Sequence, residues 1–363
     1  MVGRDLRILS STRRYTLNIP THVSTAGEMI VHPWEWGALA LVILALILFD
    51  LLGHVRKEHE PSLKEAGIWS LIYVGFAIIY GGVLYVRHGS TFSGEYFAGY
   101  LTEKALSLDN IFVFIIIIAS FRVPRKYQQK VLLYGIVMAL VMRLVFILIG
   151  AAIIERFVWV FFVFGAFLLY TAIKQVMEGV QEPGAMEHEE FEPNGITRFA
   201  MNHFKVTDGY VGQKLVVRRE HKTWITPLLL CIIAIGSIDL MFALDSIPAV
   251  YGLTKEPFIV FSANAFALLG LRQLFFLIDG LLDKLLYLHY GLAFILGFIA
   301  IKLMLHAFHG YGILTAIPEP NIAASLIVII GTIVVTIFAS MAVTKRRNKD
   351  EDEGSGLEGP DAH

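Results

Sequence analysis

Long apolar runs without charged residues constrain this chain more than any other feature of its sequence. The run from Ile322 to Val343 contains no Asp, Glu, Lys or Arg. A run of about 18 such residues is long enough for a helix to cross the hydrocarbon core of a bilayer, which is roughly 30 Å thick. Hydrophobic residues make up 56% of the chain and charged residues 17%, outside the balance of a soluble domain. The chain is therefore predicted to be an integral membrane protein.

Several further segments carry such runs. They predict an all-α fold, a polytopic membrane helix bundle of about nine transmembrane helices. The predicted spans are 37–53, 67–86, 95–119, 131–153, 157–176, 226–250, 257–279, 285–305 and 322–343. The predicted domains are an N-terminal arm (1–35), helices 1–5 with a first repeat (36–176), a cytoplasmic loop (177–225), helices 6–9 with a second repeat (226–343) and a disordered cytoplasmic tail (344–363).

The polar segments differ from each other in charge. The 177–225 loop has an acidic patch and a basic patch and is predicted to lie outside the membrane. The tail from Lys349 onward is rich in Asp, Glu and Gly without apolar periodicity, so it buries too little surface to order itself. The two patches of the loop are Glu187, Glu189, Glu190, Glu192 and Arg218, Arg219, Lys222.

Lysine and arginine set the predicted orientation, because cytoplasmic loops carry the excess of positive charge. They concentrate in the odd-numbered loops and the C-terminal tail, whereas the even-numbered loops carry only Arg87, Arg156 and Lys255. The C-terminus is therefore predicted in the cytoplasm and, after an odd number of spans, the N-terminus outside. The arginines of the N-terminal arm oppose this placement, although long arms are translocated regardless of charge. They are Arg4, Arg7, Arg13 and Arg14.

Composition and motifs disfavour several classes of protein. The formal net charge is −1, so a nucleic-acid partner, which needs a basic surface, is not expected. The only cysteine, Cys231, lies in an apolar run, and one thiol builds neither an intrachain disulfide nor a thiolate metal site. The sequence lacks a nucleotide-binding loop, a zinc-protease helix and a serine-hydrolase elbow in a suitable context. We therefore expect neither an enzyme nor an organic cofactor.

Two spans carry ionisable residues in a repeated pattern. The third contains TEKALSLDNIFVF with Glu103 and Asp109, and the sixth contains GSIDLMFALDSIPAV with Asp239 and Asp245. Ionisable residues inside spans are costly and indicate a functional site. The likeness extends into the following helices, GIVMALVMRLVFILIG and NAFALLGLRQLFFLID, which align Gly135 with Asn264 and Arg143 with Arg272. We interpret this as an internal duplication.

The two copies are predicted to have inverted topology, because an odd number of helices separates their starts. In transporters of this type the substrate site lies near the bilayer midplane and is formed by discontinuous helices. Acids six residues apart lie about 120° apart around an ideal helix, so both can point inward only if the backbone departs from α geometry. Pro248 is a predicted cause of a break, and Ser107 and Asn110 can bond freed backbone groups.

The four acids, with neighbouring amide and hydroxyl oxygens, form a hard oxygen ligand set without Cys or His. Such a set suits Mn²⁺, Mg²⁺ or Ca²⁺ better than Zn²⁺ or Cu⁺. Two alternatives stay open: the acids pair with Lys104, Arg143 and Arg272 to lock the helices together, or some relay protons, which is compatible with cation binding. His289, Lys302 and His306 are weaker candidates, expected at the membrane interface.

These motifs resemble the TerC family of membrane proteins, whose bacterial members include Alx-type manganese exporters. The likeness is close in EKALSLDNIFVF and in DLMFALDSIPAVYGLTKEPFIVFSANAFALLGLRQLFFLI, weaker in ITRFAMNHFKVTDGYVGQKLVVRRE, and spans roughly residues 35 to 343. It implies Mn²⁺ efflux or metal handling in a bacterial cytoplasmic (inner) membrane. The family name comes from tellurium-resistance operons. Carried over by position, the family's acids are Glu103, Asp109, Asp239 and Asp245, with Asn110, Ser246 and Asn264 as neighbours.

One position departs from the family pattern: many members have a glutamate where this chain has Gly236. The sequence hypothesis is nevertheless Mn²⁺ export, with Asp109 and Asp245 as central ligands and Glu103 and Asp239 as secondary ligands or proton acceptors. Arg143 and Arg272 would orient the carboxylates. Two rival hypotheses are a non-transporting scaffold that binds proteins through the 177–225 loop, and tellurite handling, which suits acid-lined helices poorly because they repel anions.

Overall fold

A computed structural model describes residues 29–52, 62–181, 195–219, 222–278 and 287–355. The chain divides into two units, Met1–Ile30 and Val31–His363. Of the first unit only Met29 and Ile30 are described, so most of the predicted N-terminal arm lies outside the described residues.

Helices dominate the described part of the chain, and the strands are short. The helices are α1 Pro33–Asp50, α2 Leu63–His88, α3 Ser90–Ser120, α4 Arg125–Ile154, α5 Val160–Gln181, α6 Gly195–His203, α7 Pro227–Tyr251, α8 Pro257–Leu269, α9 Leu271–Ile278, α10 Leu288–Gly310 and α11 Ile322–Ser355. The strands are β1 Lys205–Val206, β2 Val216–Arg219 and β3 Lys222–Ile225. Proline stands in the first turn of α1, α7 and α8, where its missing N–H costs nothing.

The predicted all-α membrane fold is confirmed. Among the described residues, seven helices are long and apolar enough to cross a membrane, and α8 with α9, bent by 42° at Gly270, would make an eighth. Helix α3 has 31 residues but carries Glu95, Glu103, Lys104 and Asp109. Because of these charges it is not one of the seven apolar helices. Every predicted span lies largely on a helix, whereas the total of nine and the inverted topology stay predictions.

The centre of the helical unit is formed by α3, α4, α7 and α8, while α10 packs mainly against α5. Helix α8 buries every residue from Phe258 to Leu269, as expected for a helix that is apolar on all sides. Helices α1, α2 and α11 expose many large apolar side chains, which suits a lipid-facing periphery. The repeated acids of α3 and α7 therefore lie on two of the central helices.

The loop predicted over 177–225 is not irregular in its described part. It contains the end of α5, helix α6 and a three-stranded sheet of order β1-β3-β2, parallel between β1 and β3 and antiparallel between β2 and β3. The sheet is tied to the start of α4 and to the end of α3. The Lys130 ammonium donates to the Gln213 carbonyl at 2.8 Å, and the Tyr210 hydroxyl donates to the Phe121 carbonyl at 2.6 Å. The acidic patch lies outside the described residues.

The predicted disorder of the 344–363 tail is wrong for its first part, because α11 continues through Ser355. Lysine, arginine and glutamate, which are frequent there, are good helix formers, and the preceding apolar span supplies a helix already nucleated. Residues 356–363 lie outside the described residues.

Candidate functional site

Helices α3 and α7 run unbroken through the repeated acids. The predicted departure from α geometry at these acids is therefore wrong, and Pro248 falls in the last turn of α7 instead of breaking it. The break in this part of the chain occurs at Gly270, between α8 and α9. Because the helices are continuous, the two acids of each helix face different neighbours. The first acids of the two motifs meet in one cluster and the second acids meet in another.

The first cluster surrounds the guanidinium of Arg143 on α4. It donates to Asp239 from Nε at 3.0 Å and from an Nη at 3.1 Å. The other Nη donates to Glu103, to Ser246 Oγ at 3.1 Å and to Asn264 Oδ1 at 2.5 Å. All five side chains are buried. Four predicted cation ligands from three helices thus share one arginine.

The formal charges of this arginine cluster do not sum to zero. One guanidinium faces two carboxylates, Glu103 and Asp239, so its formal charge is negative. Glu103 Oε2 is buried and has no hydrogen-bond partner among the described residues. Burying an unpaired charged oxygen in a membrane protein is costly. The cluster therefore has the capacity to accept a proton or a further cation.

The second cluster contains Asp109 of α3 and Asp245 of α7, together with polar side chains from α5 and α10. The Gln175 amide donates to Asp109 at 3.1 Å, and the Thr171 hydroxyl donates to Asp245 at 3.0 Å. The imidazole of His289 lies 3.7 Å from Asp109. Asp245 interacts electrostatically with Asp109 and with Lys174. Unlike Glu103, the Asp109 carboxylate is partly accessible, at 29% exposure.

A polar stripe runs along α3 from the level of the first cluster to that of the second. Its members are Glu103, Ser107 and Asn110, spaced i, i+4 and i+7 and so on one helix face. Each is buried and has a side-chain atom without a hydrogen-bond partner in the described part of the chain: Oε2, Oγ and Nδ2, respectively. The predicted bonds from Ser107 Oγ and Asn110 Nδ2 to freed backbone groups are therefore not formed. Unpaired buried polar atoms are rare and point to an unseen partner such as water or an ion.

The other predicted supporting charges lie elsewhere. Arg272 on α9 donates to Asp50 on α1 at 2.9 Å, so the prediction that it orients the repeated carboxylates is wrong. The Lys104 ammonium donates to the Ala267 carbonyl at 3.2 Å. Ala267 belongs to the last turn of α8, whose carbonyls have lost their helical partners at the break. Lys104 therefore caps the end of α8.

The alternative that charges lock the helices together thus accounts for part of the predicted site. It describes Glu103 and Asp239, which pair with Arg143, whereas Asp109 contacts Gln175 and His289. Among the described residues, no group of three or more His, Cys, Asp or Glu side chains is arranged to hold a metal ion. A cation contacting both second acids would also use hydroxyl, amide or backbone oxygens.

Sequence reasoning missed several members of these clusters. Asp50 lies inside the first predicted span, and its charge in an apolar run was a usable signal. Thr171 and Gln175 are polar residues of an aromatic-rich helix, but nothing local shows that they face α3 and α7. His289 was expected at the interface without a role as a ligand, and it lies beside Asp109 in the first turn of α10.

The comparisons with known proteins bear on the same helices. Residues 88–348, more than half of the chain, match the integral membrane protein TerC family. The chain belongs to this family. The predicted resemblance is confirmed, and the matched region of this TerC protein contains both clusters.

Its bacterial relatives differ in what their names state. Proteins called putative membrane-bound redox modulator Alx, from Salmonella typhi and Escherichia coli (strain K12), are 35% identical over 326 residues, covering 87% of this chain and 97% of the relative. An uncharacterized membrane protein of Mycobacterium tuberculosis (strain ATCC 25618 / H37Rv) is 50% identical over 278 residues, covering 76% of this TerC chain and 68% of the relative. No solved structure matches the chain.

Proposed function

We propose that this TerC protein transports a divalent cation, Mn²⁺, out of the cytoplasm across the bacterial cytoplasmic membrane. The observation that carries the proposal is the stripe of Glu103, Ser107 and Asn110. These buried polar atoms without partners run along one face of α3 from the level of the first acid cluster to that of the second. The Glu103 and Ser107 oxygens can contact a cation, whereas the Asn110 amide nitrogen can only donate, for example to a water molecule. Buried polar atoms without partners are costly at membrane depth, and their alignment on one face of α3 supports a path that water or an ion can occupy.

The second acids, Asp109 and Asp245, receive the cation in this proposal. They are partly accessible and interact electrostatically, and mutual repulsion between two carboxylates favours a shared divalent cation. Thr171 and Gln175 already hydrogen-bond these carboxylates and add oxygen atoms to a hard ligand set. Such a set suits Mn²⁺, Mg²⁺ and Ca²⁺, and Mn²⁺ is the ion that the family resemblance favours.

The first acids have a different role. Arg143 is a tethered cation that pairs with Glu103 and Asp239 without balancing both charges, and a transported cation at the stripe competes with it for these carboxylates. Glu103 Oε2, which has no hydrogen-bond partner among the described residues, accepts a proton when the cation leaves. Cation export and proton uptake are thereby linked at one carboxylate.

The first test compares cellular manganese under Mn²⁺ load in a metal-sensitive host that expresses the native protein, Asp109→Asn/Asp245→Asn or Glu155→Gln. Glu155 is an exposed residue after α4 and serves as a matched charge control. We expect lower manganese with the native protein and Glu155→Gln only. Equal manganese in all cells, with equal protein in the membrane, would refute export through these acids.

A second test uses Ser107→Ala. Because the Ser107 hydroxyl has no described partner, its removal should leave the thermal unfolding midpoint unchanged or raise it. If the stripe conducts the cation, Mn²⁺ flux into proteoliposomes should nevertheless fall. Unchanged flux in Ser107→Ala would remove the stripe from the pathway.

Redox modulation, which the names of the Alx relatives state, is the second candidate. The 363-residue chain has a single cysteine, Cys231, buried in α7, so thiol–disulfide exchange within the chain lacks a second thiol. Replacement of Cys231 by Ala tests it: a loss of activity with an unchanged unfolding midpoint would favour redox chemistry over cation transport.

A further inference from the structure

Helix α6 packs against the first turn of a membrane-spanning helix. Its buried residue Ala200 forms a small apolar cluster with Ile225 and with Leu230, the fourth residue of α7. At 1.5 Å per residue, Leu230 lies only about 5 Å along the helix from its start. Helix α6 is therefore held close to the level where the apolar span begins, which is the headgroup region of the bilayer.

The rest of α6 and its C-terminal end leave large apolar side chains uncovered. Ile196 is 49% exposed, Phe199 57%, Met201 45% and Phe204 51%. Ile196 and Phe199 lie one turn apart and flank the face that packs on α7. A concentration of exposed apolar side chains outside the spans marks a contact surface.

Exposed basic residues lie on α6 and on the segments that follow it. Arg198 is on α6, Lys205 follows it, and Lys214 and Arg218 are on the attached sheet segment. Asp208 is the only acidic residue among residues 195–219. The nearby turn between α3 and α4, to which Tyr210 is bonded, adds three more exposed basic side chains: Arg122, Arg125 and Lys126.

We propose that α6 is an interfacial helix that binds anionic phospholipid in the leaflet where α7 begins. Ile196 and Phe199 insert beside the acyl chains, and the exposed basic side chains contact lipid phosphates. An apolar flank next to a basic surface is the composition that binds anionic membrane surfaces. We favour the bilayer as the partner because α6 packs against the first turn of α7 and so lies at the depth where that span enters the membrane. This inference does not depend on cation transport.

Spin-label accessibility tests the proposal on the full chain. Because Cys231 is the only cysteine, a Cys231→Ala background allows a single label at Phe199→Cys or, as a second site, Ile196→Cys. Val334→Cys on the exposed side of α11 serves as the lipid-facing reference, and Asp208→Cys as the aqueous reference. Collision rates with oxygen and with a water-soluble nickel complex are compared in vesicles of phosphatidylcholine with and without phosphatidylglycerol.

We expect the α6 labels to collide more with oxygen than with nickel, as at Val334, and this preference to increase with phosphatidylglycerol. Arg198→Glu/Arg218→Glu should abolish the increase. A nickel preference equal to that at Asp208 would overturn the proposal, because α6 would then face water. Protection from both reagents would also overturn it, since a protein or a second copy would then cover α6. If the preference for oxygen over nickel were the same with and without phosphatidylglycerol, the proposed specificity for anionic lipid would be refuted.

Discussion

Arg143 on α4 binds both carboxylate oxygens of Asp239 on α7, with N–O distances of 3.0 and 3.1 Å. The same guanidinium also pairs with Glu103 on α3. A planar guanidinium is suited to this because its donors match a carboxylate in pairs. Three central helices thus meet at one cation, which joins the two copies of the repeated motif.

Arg143→Met should therefore strongly destabilise the protein. Removing the partner of a buried ion pair leaves uncompensated charge and costs about 3–5 kcal/mol. Thermal unfolding in detergent measures the loss. Arg87→Met is the control, because Arg87 is 47% exposed and the buried Glu35 would keep its contacts with the His32 N–H at 2.9 Å and with His88 at 3.2 Å. We expect a loss of about 1 kcal/mol in this variant. Equal losses in the two variants would contradict the central role of Arg143.

Lys104→Met should loosen the break between α8 and α9. The Lys104 ammonium donates to Ala267 at 3.2 Å, and loss of a charged hydrogen bond costs about 1.5–3 kcal/mol. We expect faster hydrogen exchange in the peptide that contains Gly270, with partial rescue in Lys104→Arg. Lys302→Met, which removes a bond to Ser325 on α11, should leave that peptide unchanged. Unaltered exchange around Gly270 in Lys104→Met would show that the cap does not hold the break.

Gly236 is surrounded too closely for a side chain unless Met138 moves. An added Cβ would lie 1.6 Å from Met138 Cε. Met138 Cε is the far end of a flexible side chain, so its displacement belongs at the lower end of the about 1–3 kcal/mol that overpacking costs. Gly236→Ala should therefore lower the unfolding midpoint slightly, and Met138→Ala should offset part of that loss. Gly37→Ala is the control, because nothing lies within 4 Å of its added Cβ. Additive losses in the double variant would show that Met138 is not the obstacle.

Glu319, between α10 and α11, should give the protein a pH-dependent contribution to stability. A hydrogen bond from His306, at 3.1 Å, and the neighbouring His309, at 2.9 Å, lower the pKa of Glu319 below 4.5. Lys255 and Lys302 also interact electrostatically with this carboxylate. Because the pKa is lowered on folding, the stabilisation is present above pH 4.5 and is lost as the pH falls through the lowered value.

The matching experiment compares unfolding midpoints of native protein and Glu319→Gln across the acid range. We expect the free energy of unfolding of the variant to be about 0.5–1 kcal/mol lower than that of the native protein at neutral pH. This difference should disappear at the acid end of the range. Glu155→Gln should show no such pH-dependent difference. A Glu319→Gln deficit that persists unchanged below the lowered pKa would mean that the carboxylate charge is not its source.

The predictable part of this fold rests on local sequence. Each apolar run is long enough to specify one membrane helix by itself. The positions of the predicted spans therefore followed from the hydropathy of each segment. The repeated acids were also visible locally, because an ionisable residue in an apolar run is costly and conspicuous. The continuity of α3 and α7 was not predictable in this way. The acids were assumed to share one site, and that assumption required a break that the structure does not contain.

Sequence by itself determined that this is a TerC-family membrane protein and which residues carry its unusual charges. Only the tertiary structure decided which charges meet. Arg143 lies 96 residues from Asp239 along the chain, and Arg272 lies 222 residues from Asp50. Partners at such separations are chosen by how helices pack against each other, through many weak contacts that no local pattern encodes. The two aligned arginines therefore have different partners although their sequence surroundings are alike.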